Sequence, residues 1–237
     1  MLIKTKAIVI SSVKFNEKSL IVKCLTKTDG MQTYFIHNAF TGKQNKQKNV
    51  FFQPLNQIEI EAYHNTKKQL QRIKEVKIHY LYHTIYLDVV KTAIALFLSE
   101  MLHNSIKEEG KNEFLFEYLE SALQWFDSHN QIFNFHLILL LQLTKYLGFY
   151  PQKNEANNIF FNIDEGVFSE TPSSHTLTKE ETILFKKLME LKFTTTEKIF
   201  SASQRRSLLN VLIEYYMFNI GYSKKIKSIE ILSQLFE

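Results

Sequence analysis

The sequence predicts an α+β protein, with an N-terminal five-stranded OB-fold β-barrel followed by an all-α helical domain that carries a small hairpin-like insertion. Residues 1–80 contain short runs rich in Val, Ile, Tyr and Phe, and from residue 81 onward apolar residues recur at three- and four-residue steps. With 45% hydrophobic residues, the 237-residue chain can bury substantial cores. We therefore place a domain boundary at residue 80, with one domain over 1–80 and the other over 81–237.

The barrel prediction depends on five candidate strands with polar turns between them. Five short, regularly spaced strands without a helical pattern among them are typical of a five-stranded Greek-key barrel, which is the architecture of the OB-fold. An SH3-like barrel is the structural alternative. The candidate strands are TKAIVISSV at 5–13, SLIVKCLTK at 19–27, MQTYFIHN at 31–38, NQIEIEAYH at 56–64 and LQRIKEVKIHY at 70–80.

Three helices are predicted after the barrel. The first is long and amphipathic, begins at about Leu81 and stops at Gly110, a residue type that often follows a helix C-terminus. The second covers 112–128. The third covers 132–148 and ends at a glycine, with a proline just beyond it.

Residues 152–177 interrupt the helical pattern. Within them NIFFNI and GVFSE flank DEG, which predicts a hairpin-like insertion. Thr178 and Glu181 then form a capping-box pattern before a helix. Further helices over 203–221 and 228–236 close the helical domain.

Positive charge is concentrated in the first 80 residues. The chain has a formal net charge of +5, but residues 1–80 hold 14 Lys and Arg against 5 acids, a balance of +9, and the rest carries −4. This surplus exceeds what solubility requires and indicates a polyanionic partner. OB-folds bind nucleic acid through the loops in which these cations lie. The candidate contacts are Lys14, Lys18, Lys43, Lys46, Lys48, Lys67, Lys68 and Arg72.

Aromatic residues of the front segment are candidates for base stacking. In single-strand-binding OB-folds, aromatic faces complement the basic groove and contribute roughly 1–3 kcal/mol per stacked base. The candidates are Phe15 and Tyr34, together with Phe40 and Tyr63. The alternative for each ring is the barrel interior, because one face of every strand points inward.

Ten residues between the third and fourth candidate strands form a cationic loop. The stretch TGKQNKQKNV at 41–50 holds three lysines and no acid. Its composition predicts a flexible segment that contacts phosphates without reading bases.

A second basic feature lies near the C-terminus. Arg205 and Arg206 open the long helix over 203–221, at an end that is already electropositive. They are candidates for binding a phosphate or an acidic peptide of a protein partner. The alternative is an arginine pair that forms salt bridges with neighbouring helices.

Signatures of catalysis and of metal binding are absent or weak. The sequence has no G-x-G-x-x-G, no P-loop and no G-x-S-x-G, so we predict no enzyme activity. His79 and His83 have helical i, i+4 spacing but no third ligand nearby. The single cysteine, Cys24, excludes a disulfide framework and indicates a reducing, cytoplasmic setting. No apolar stretch predicts a membrane span.

Three segments in order resemble the bacterial recombination mediator RecO family. They are TKAIVISSVKFNEKSLIVKCLTKTDGMQTYFIHNA, YLGFYPQ and GYSKKIKSIEIL, and the correspondence covers nearly the whole chain. The resemblance implies a non-catalytic DNA repair protein that binds single- and double-stranded DNA and anneals complementary strands. It also implies contact with the acidic C-terminal tail of the single-strand binding protein SSB, and action with RecR to load RecA onto SSB-coated DNA.

One departure from the family concerns zinc. Many members place four cysteines after the Leu-Gly-x-x-Pro stretch, whereas residues 151–177 of this chain contain none. We therefore expect no metal and no cofactor, and an insertion held by packing of Ile159, Phe160, Phe161 and Phe168. A non-catalytic OB-fold interaction adaptor with only weak DNA binding is the alternative function.

Overall fold

Two compact units divide the chain. The computed structural model describes residues 1–40, 48–65, 67–107, 110–152, 158–221 and 226–235. One unit spans Met1–Ser128 and the other spans His129–Glu237. Within the described ranges the first unit contains a five-stranded sheet with three helices, and the second contains a two-stranded sheet with four helices.

The five-stranded sheet of the first unit is a closed barrel of OB type. Its strand order is β3-β2-β1-β4-β5, and all four pairs of neighbouring strands are antiparallel. A parallel bridge between Tyr34 and Gln71 joins the two outer strands and closes the barrel. The predicted fold class is therefore confirmed. The strands are β1 (Leu2–Lys14), β2 (Leu20–Thr26), β3 (Gly30–Ile36), β4 (Gln57–Tyr63) and β5 (Arg72–Tyr80).

Alternation of side chains places one apolar set inside the barrel. Val9, Val22, Cys24 and Ile58 have no measurable exposure. Removing such side chains from water stabilises the fold by about 1.5–3 kcal/mol each. Burial also raises the pKa of the Cys24 thiol, so this cysteine packs as a small apolar residue.

In its described ranges the first unit contains three helices, of which the first was not predicted and the second begins later than the sequence predicts. They are α1 (Lys48–Phe51), α2 (Val89–Ser105) and α3 (Glu113–Ser128). The predicted start near Leu81 is wrong, because α2 begins at Val89, where the Asp88 side chain accepts a hydrogen bond from the Lys91 backbone N–H at 2.9 Å. The same helix ends at Ser105 rather than at Gly110.

Asp127 near the end of α3 holds residues 83–85 in a non-helical conformation. Its carboxylate accepts backbone hydrogen bonds from His83, Thr84 and Ile85 at 2.8–3.1 Å. The buried Lys91 ammonium donates to the Thr84 hydroxyl at 2.6 Å and to the Asp127 carbonyl at 3.0 Å. These bonds satisfy backbone donors that a helix would otherwise use, so the connection stays irregular although its apolar pattern is helical.

The second unit follows the predicted order of elements. These elements are α4 (Phe135–Leu147), β6 (Phe160–Asn162), β7 (Val167–Ser169), α5 (Lys179–Glu190), α6 (Ala202–Ile220) and α7 (Ser228–Leu235). Helix α4 ends at Gly148 with φ 86°, and α6 ends at Gly221 with φ 66°. The predicted capping box of Thr178 and Glu181 begins α5.

An aromatic cluster packs the β6–β7 hairpin against its own unit. Phe161 is fully buried, stacks on Phe185 at a centroid distance of 4.5 Å and contacts Phe168 and Tyr215. Packing therefore holds the hairpin as predicted, although the set of residues differs. Ile159 is 42% exposed and is not part of this aromatic cluster.

We predict that Gly166→Ala destabilises this hairpin by about 1–3 kcal/mol. Gly166 has φ +69°, and an added Cβ would lie 2.7 Å from the Tyr215 hydroxyl oxygen. That hydroxyl donates to the Phe149 carbonyl and cannot move freely. Denaturant unfolding of the full chain measures the loss. Gly110→Ala is the control, because its Cβ would meet no atom within 4 Å, and an equal loss in both variants would contradict the prediction.

Candidate nucleic-acid interface

Two loops and part of β3 form one surface of the barrel, which we call the loop face. It comprises residues 13–21, 35–37, 63–65 and 67–72. The antiparallel pairing sets Val13 opposite Ile21, and Ile21 opposite Phe35. Because Tyr34 and Gln71 are bridged with their side chains inward, the next residues along the two strands point outward together. Phe35 and Arg72 are thus neighbours on the outer surface.

The loop before β5 is held in place by its own side chains. The amide of the buried Gln71 donates to the backbone carbonyls of Asn65 and Lys68 at 3.1 and 2.7 Å, and its oxygen accepts from the Asn65 N–H at 2.8 Å. The Asn65 side chain accepts from the Lys67 N–H at 2.9 Å. Lys67 and Lys68 therefore project from a preorganised turn, which reduces the entropy lost when they bind a ligand.

His64 anchors the beginning of that loop to the barrel. The Tyr34 hydroxyl lies 2.8 Å from His64 Nε2, and Asp29 lies 3.6 Å from His64 Nδ1. Burial lowers the pKa of His64, although Asp29 acts to raise it. The hydrogen bond between the tyrosine hydroxyl and the imidazole links β3 to the loop.

The loop after β1 carries an exposed aromatic ring. Phe15 is 60% exposed and meets Phe35 edge-on at a centroid distance of 5.5 Å. The His37 ring also meets Phe35 edge-on, at a centroid distance of 4.5 Å. The backbone of the loop after β1 is fixed, because the Phe15 N–H donates to the Ser19 carbonyl and the Lys18 N–H donates to the Asn16 side chain. Three rings thus form a short row along the outside of β3.

The structure corrects the predicted role of Tyr34. Its side chain is fully buried in the barrel core and its hydroxyl is engaged by His64, so it presents no face to a base. The adjacent Phe35 occupies the outward position instead. Sequence reasoning missed Phe35, because two neighbouring aromatic residues give an alternation pattern that fits either register. Among the other predicted rings, Tyr63 is 48% exposed and Phe40 packs against the barrel core.

Ten basic residues of the barrel fall into two groups. In the first group each ammonium lies within 3.3 Å of a carboxylate, and its members are Lys4, Lys6, Lys27, Lys74 and Lys77. Members of the second group are exposed and form no ion pair within the described ranges. They are Lys14, Lys18, Lys67, Lys68 and Arg72. All five of the latter are predicted contacts, and all lie on the loop face, where their charge is available to a polyanion.

Other predicted contacts are placed differently. Lys43 and Lys46 lie outside the described residues, as does the side chain of Lys48. In the second unit Arg206 is exposed, but Arg205 is only 5% exposed and donates to the Phe200 carbonyl at 2.7 Å. Arg205 therefore caps local backbone and does not edge a docking groove, so this part of the predicted partner site is corrected.

His79 and His83 do not share a helix, so their i, i+4 spacing does not place them on one helical face. His79 lies in β5, where its Nε2 is 3.2 Å from Glu120, and His83 lies in the irregular connection before α2. Across the described parts of the chain, no three His, Cys, Asp or Glu side chains come together in an arrangement suited to a metal ion. In the same ranges no helix combines the length and apolar composition needed to cross a bilayer.

The closed five-stranded barrel places this chain in the class of OB-fold proteins. Comparison with known proteins identifies its family. The model described as recombination protein O N terminal matches residues 1–82, and recombination protein O C terminal matches residues 86–228. The DNA repair protein RecO of Flavobacterium psychrophilum is 52% identical over 237 residues, and that of Flavobacterium johnsoniae is 51% identical over 236 residues. The protein of the same name from Christiangramia forsetii is 37% identical over 238 residues. Each match covers 100% of both chains, so this chain belongs to the RecO family of DNA repair proteins.

Proposed function

We propose that this protein is a recombination mediator that binds single- and double-stranded DNA through the loop face. The observation that carries the proposal is the coincidence of five cations without ion pairs and a row of outward aromatic rings on one surface. Cations without carboxylate partners can exchange counterions with phosphates, and exposed rings can stack on unpaired bases. In this proposal the DNA-binding domain is the barrel of residues 1–80, which lies within the first compact unit, and residues 81–237 form the helical domain with the insertion at 152–177.

Annealing of complementary strands follows from this surface without catalytic chemistry. Two strands held against one positive face repel each other less, and base pairing supplies the remaining free energy. The protein thus acts as a non-enzymatic mediator. In the proposed pathway it works in the cytoplasm at the nucleoid, binds the SSB C-terminal tail, and with RecR loads RecA onto SSB-coated DNA.

Titration of the protein with a fluorescent single strand at several salt concentrations tests the proposal. With five phosphate contacts, affinity is expected to fall roughly a hundredfold between about 50 and 200 mM salt. Affinity that is immeasurable at low salt, or insensitive to salt, would contradict it. Tight binding to a protein partner together with such weak DNA binding would favour an interaction adaptor.

We also predict that the double variant Phe15→Ala, Phe35→Ala weakens single-strand binding by about 2–6 kcal/mol, since two stacking positions are lost. The salt slope is expected to stay unchanged because no charge is removed. Phe114→Ala is the control, because this ring of α3 is also exposed but lies outside the loop face. Equal losses of affinity in the control and in the double variant would contradict the stacking of bases on Phe15 and Phe35.

A further inference from the structure

Three carboxylates of α3 bind basic residues of the barrel. Glu113, Glu117 and Glu120 follow one another at i, i+4 and i+7, and therefore share one side of the helix. The Lys27 ammonium lies 3.3 Å from Glu113 and 2.8 Å from Glu117. Glu120 accepts from the Lys6 ammonium at 3.1 Å.

These contacts come from a helix outside the sheet and add to the ion pairs that the sheet forms within itself. Within the sheet, Glu59 of β4 already pairs with Lys4 at 3.0 Å and with Lys77 at 3.2 Å. Lys6 on β1 and Lys27 after β2 find their carboxylates on α3 instead. Hydrogen bonds with Glu117 and Glu113 raise the pKa of the Lys27 amine, which agrees with stable ion pairing at neutral pH.

We propose that the α3 carboxylates are specificity-determining residues that confine DNA to the loop face, and this inference rests on the proposed function. A lysine that is paired at about 3 Å must lose its carboxylate before it can bind a phosphate, and the carboxylates themselves repel the DNA backbone. Of the described barrel surface, the loop face is then left for binding, and its exposed rings suit unpaired bases. A duplex, whose bases are stacked inside, gains nothing from the rings and needs a wider positive surface.

The test is the triple variant Glu113→Gln, Glu117→Gln, Glu120→Gln in the full chain, titrated with duplex and with single-stranded DNA over a salt series. Release of Lys6 and Lys27 is expected to raise the magnitude of the duplex salt slope by about 2, and duplex affinity at about 0.1 M salt by several tens of fold. Single-strand affinity is expected to rise less than duplex affinity, since stacking is not improved and each phosphate contact contributes less to the salt slope on a single strand. An unchanged duplex slope would overturn the inference.

A matched control separates released lysines from a general change of charge. The variant Glu165→Gln, Glu170→Gln, Glu190→Gln removes the same three charges from exposed positions of the second unit. An equal gain in duplex slope for this control would overturn the inference. Adding Lys6→Gln and Lys27→Gln to the α3 triple variant is expected to abolish the gain, and a gain that persists would also overturn it.

Folding and function have separate readouts. Glu120 is the least exposed of the three carboxylates, so its replacement carries the greatest risk to folding. The double variant Glu113→Gln, Glu117→Gln keeps Glu120 and releases Lys27 alone. Its duplex slope is expected to change by about 1. If the wild-type protein shows no salt-dependent DNA binding, the proposed function itself fails. If the wild type binds and both variants match it, only the confinement by α3 fails.

Discussion

Replacement of the five loop-face cations by glutamine is expected to lower single-strand affinity on the order of a thousandfold at about 0.1 M salt. Each phosphate contact on a single strand contributes roughly 0.7 to the salt slope, so five lost contacts reduce its magnitude by about 3.5. The preorganised turn around Gln71 does not depend on these charges, so the variant should fold normally. The substitutions are Lys14→Gln, Lys18→Gln, Lys67→Gln, Lys68→Gln and Arg72→Gln.

The barrel offers a control with the same change of net charge. Lys4, Lys6, Lys27, Lys74 and Lys77 are ion-paired, so their replacement by glutamine removes charge that is already neutralised locally. We expect a much smaller loss of affinity in this control. If the two quintuple variants lose affinity equally, binding follows net charge and not the loop face.

Asp127→Ala is expected to destabilise the fold by about 3–5 kcal/mol. The substitution leaves the backbone N–H groups of His83, Thr84 and Ile85 without their acceptor, and it removes the negative charge beside the buried Lys91. Denaturant unfolding of the full chain measures the loss. Asp88→Ala, which removes only the α2 cap, is the control and should cost about 1 kcal/mol.

The contribution of Asp127 also has a defined dependence on pH. Burial raises the pKa of Asp127, but hydrogen bonds from three backbone N–H groups and the Thr84 hydroxyl lower it, and the net shift is downward. A carboxyl whose pKa is lower in the folded state stabilises the protein above its unfolded pKa of about 4, and this stabilisation disappears as pH falls through the folded value. The difference in the free energy of unfolding between wild type and Asp127→Ala should therefore be constant near neutral pH and become smaller only in acid. If this difference in the free energy of unfolding became smaller near pH 7, the pH dependence would come from another titratable group.

The strands and most helix ends were predictable because they depend on local chemistry. Gly148, Gly221 and the Thr178–Glu181 box each determine a helix end through residues within one turn. The start of α2 was not predictable in this way. It depends on Asp127, more than 40 residues away, which removes residues 83–85 from the helix.

The same distinction applies to the candidate interface. Charge counting located the basic barrel, but it could not reveal that residues 113–120, outside the counted segment, neutralise part of it. The choice between Tyr34 and Phe35 likewise depended on strand register. Cross-strand pairing fixes that register through contacts with β2 and Gln71, none of which the local pattern of β3 contains.

The buried thiol of Cys24 has a practical consequence for fluorescence and crosslinking studies. It is the single cysteine of the chain, it has no measurable exposure, and burial keeps it protonated, so maleimide reagents should leave the folded wild-type protein unmodified. A cysteine introduced at an exposed position such as Lys18 would then be the sole reactive group. One dye could report from the loop face without a cysteine-free background, and labelling of the unmodified chain would itself signal unfolding of the barrel.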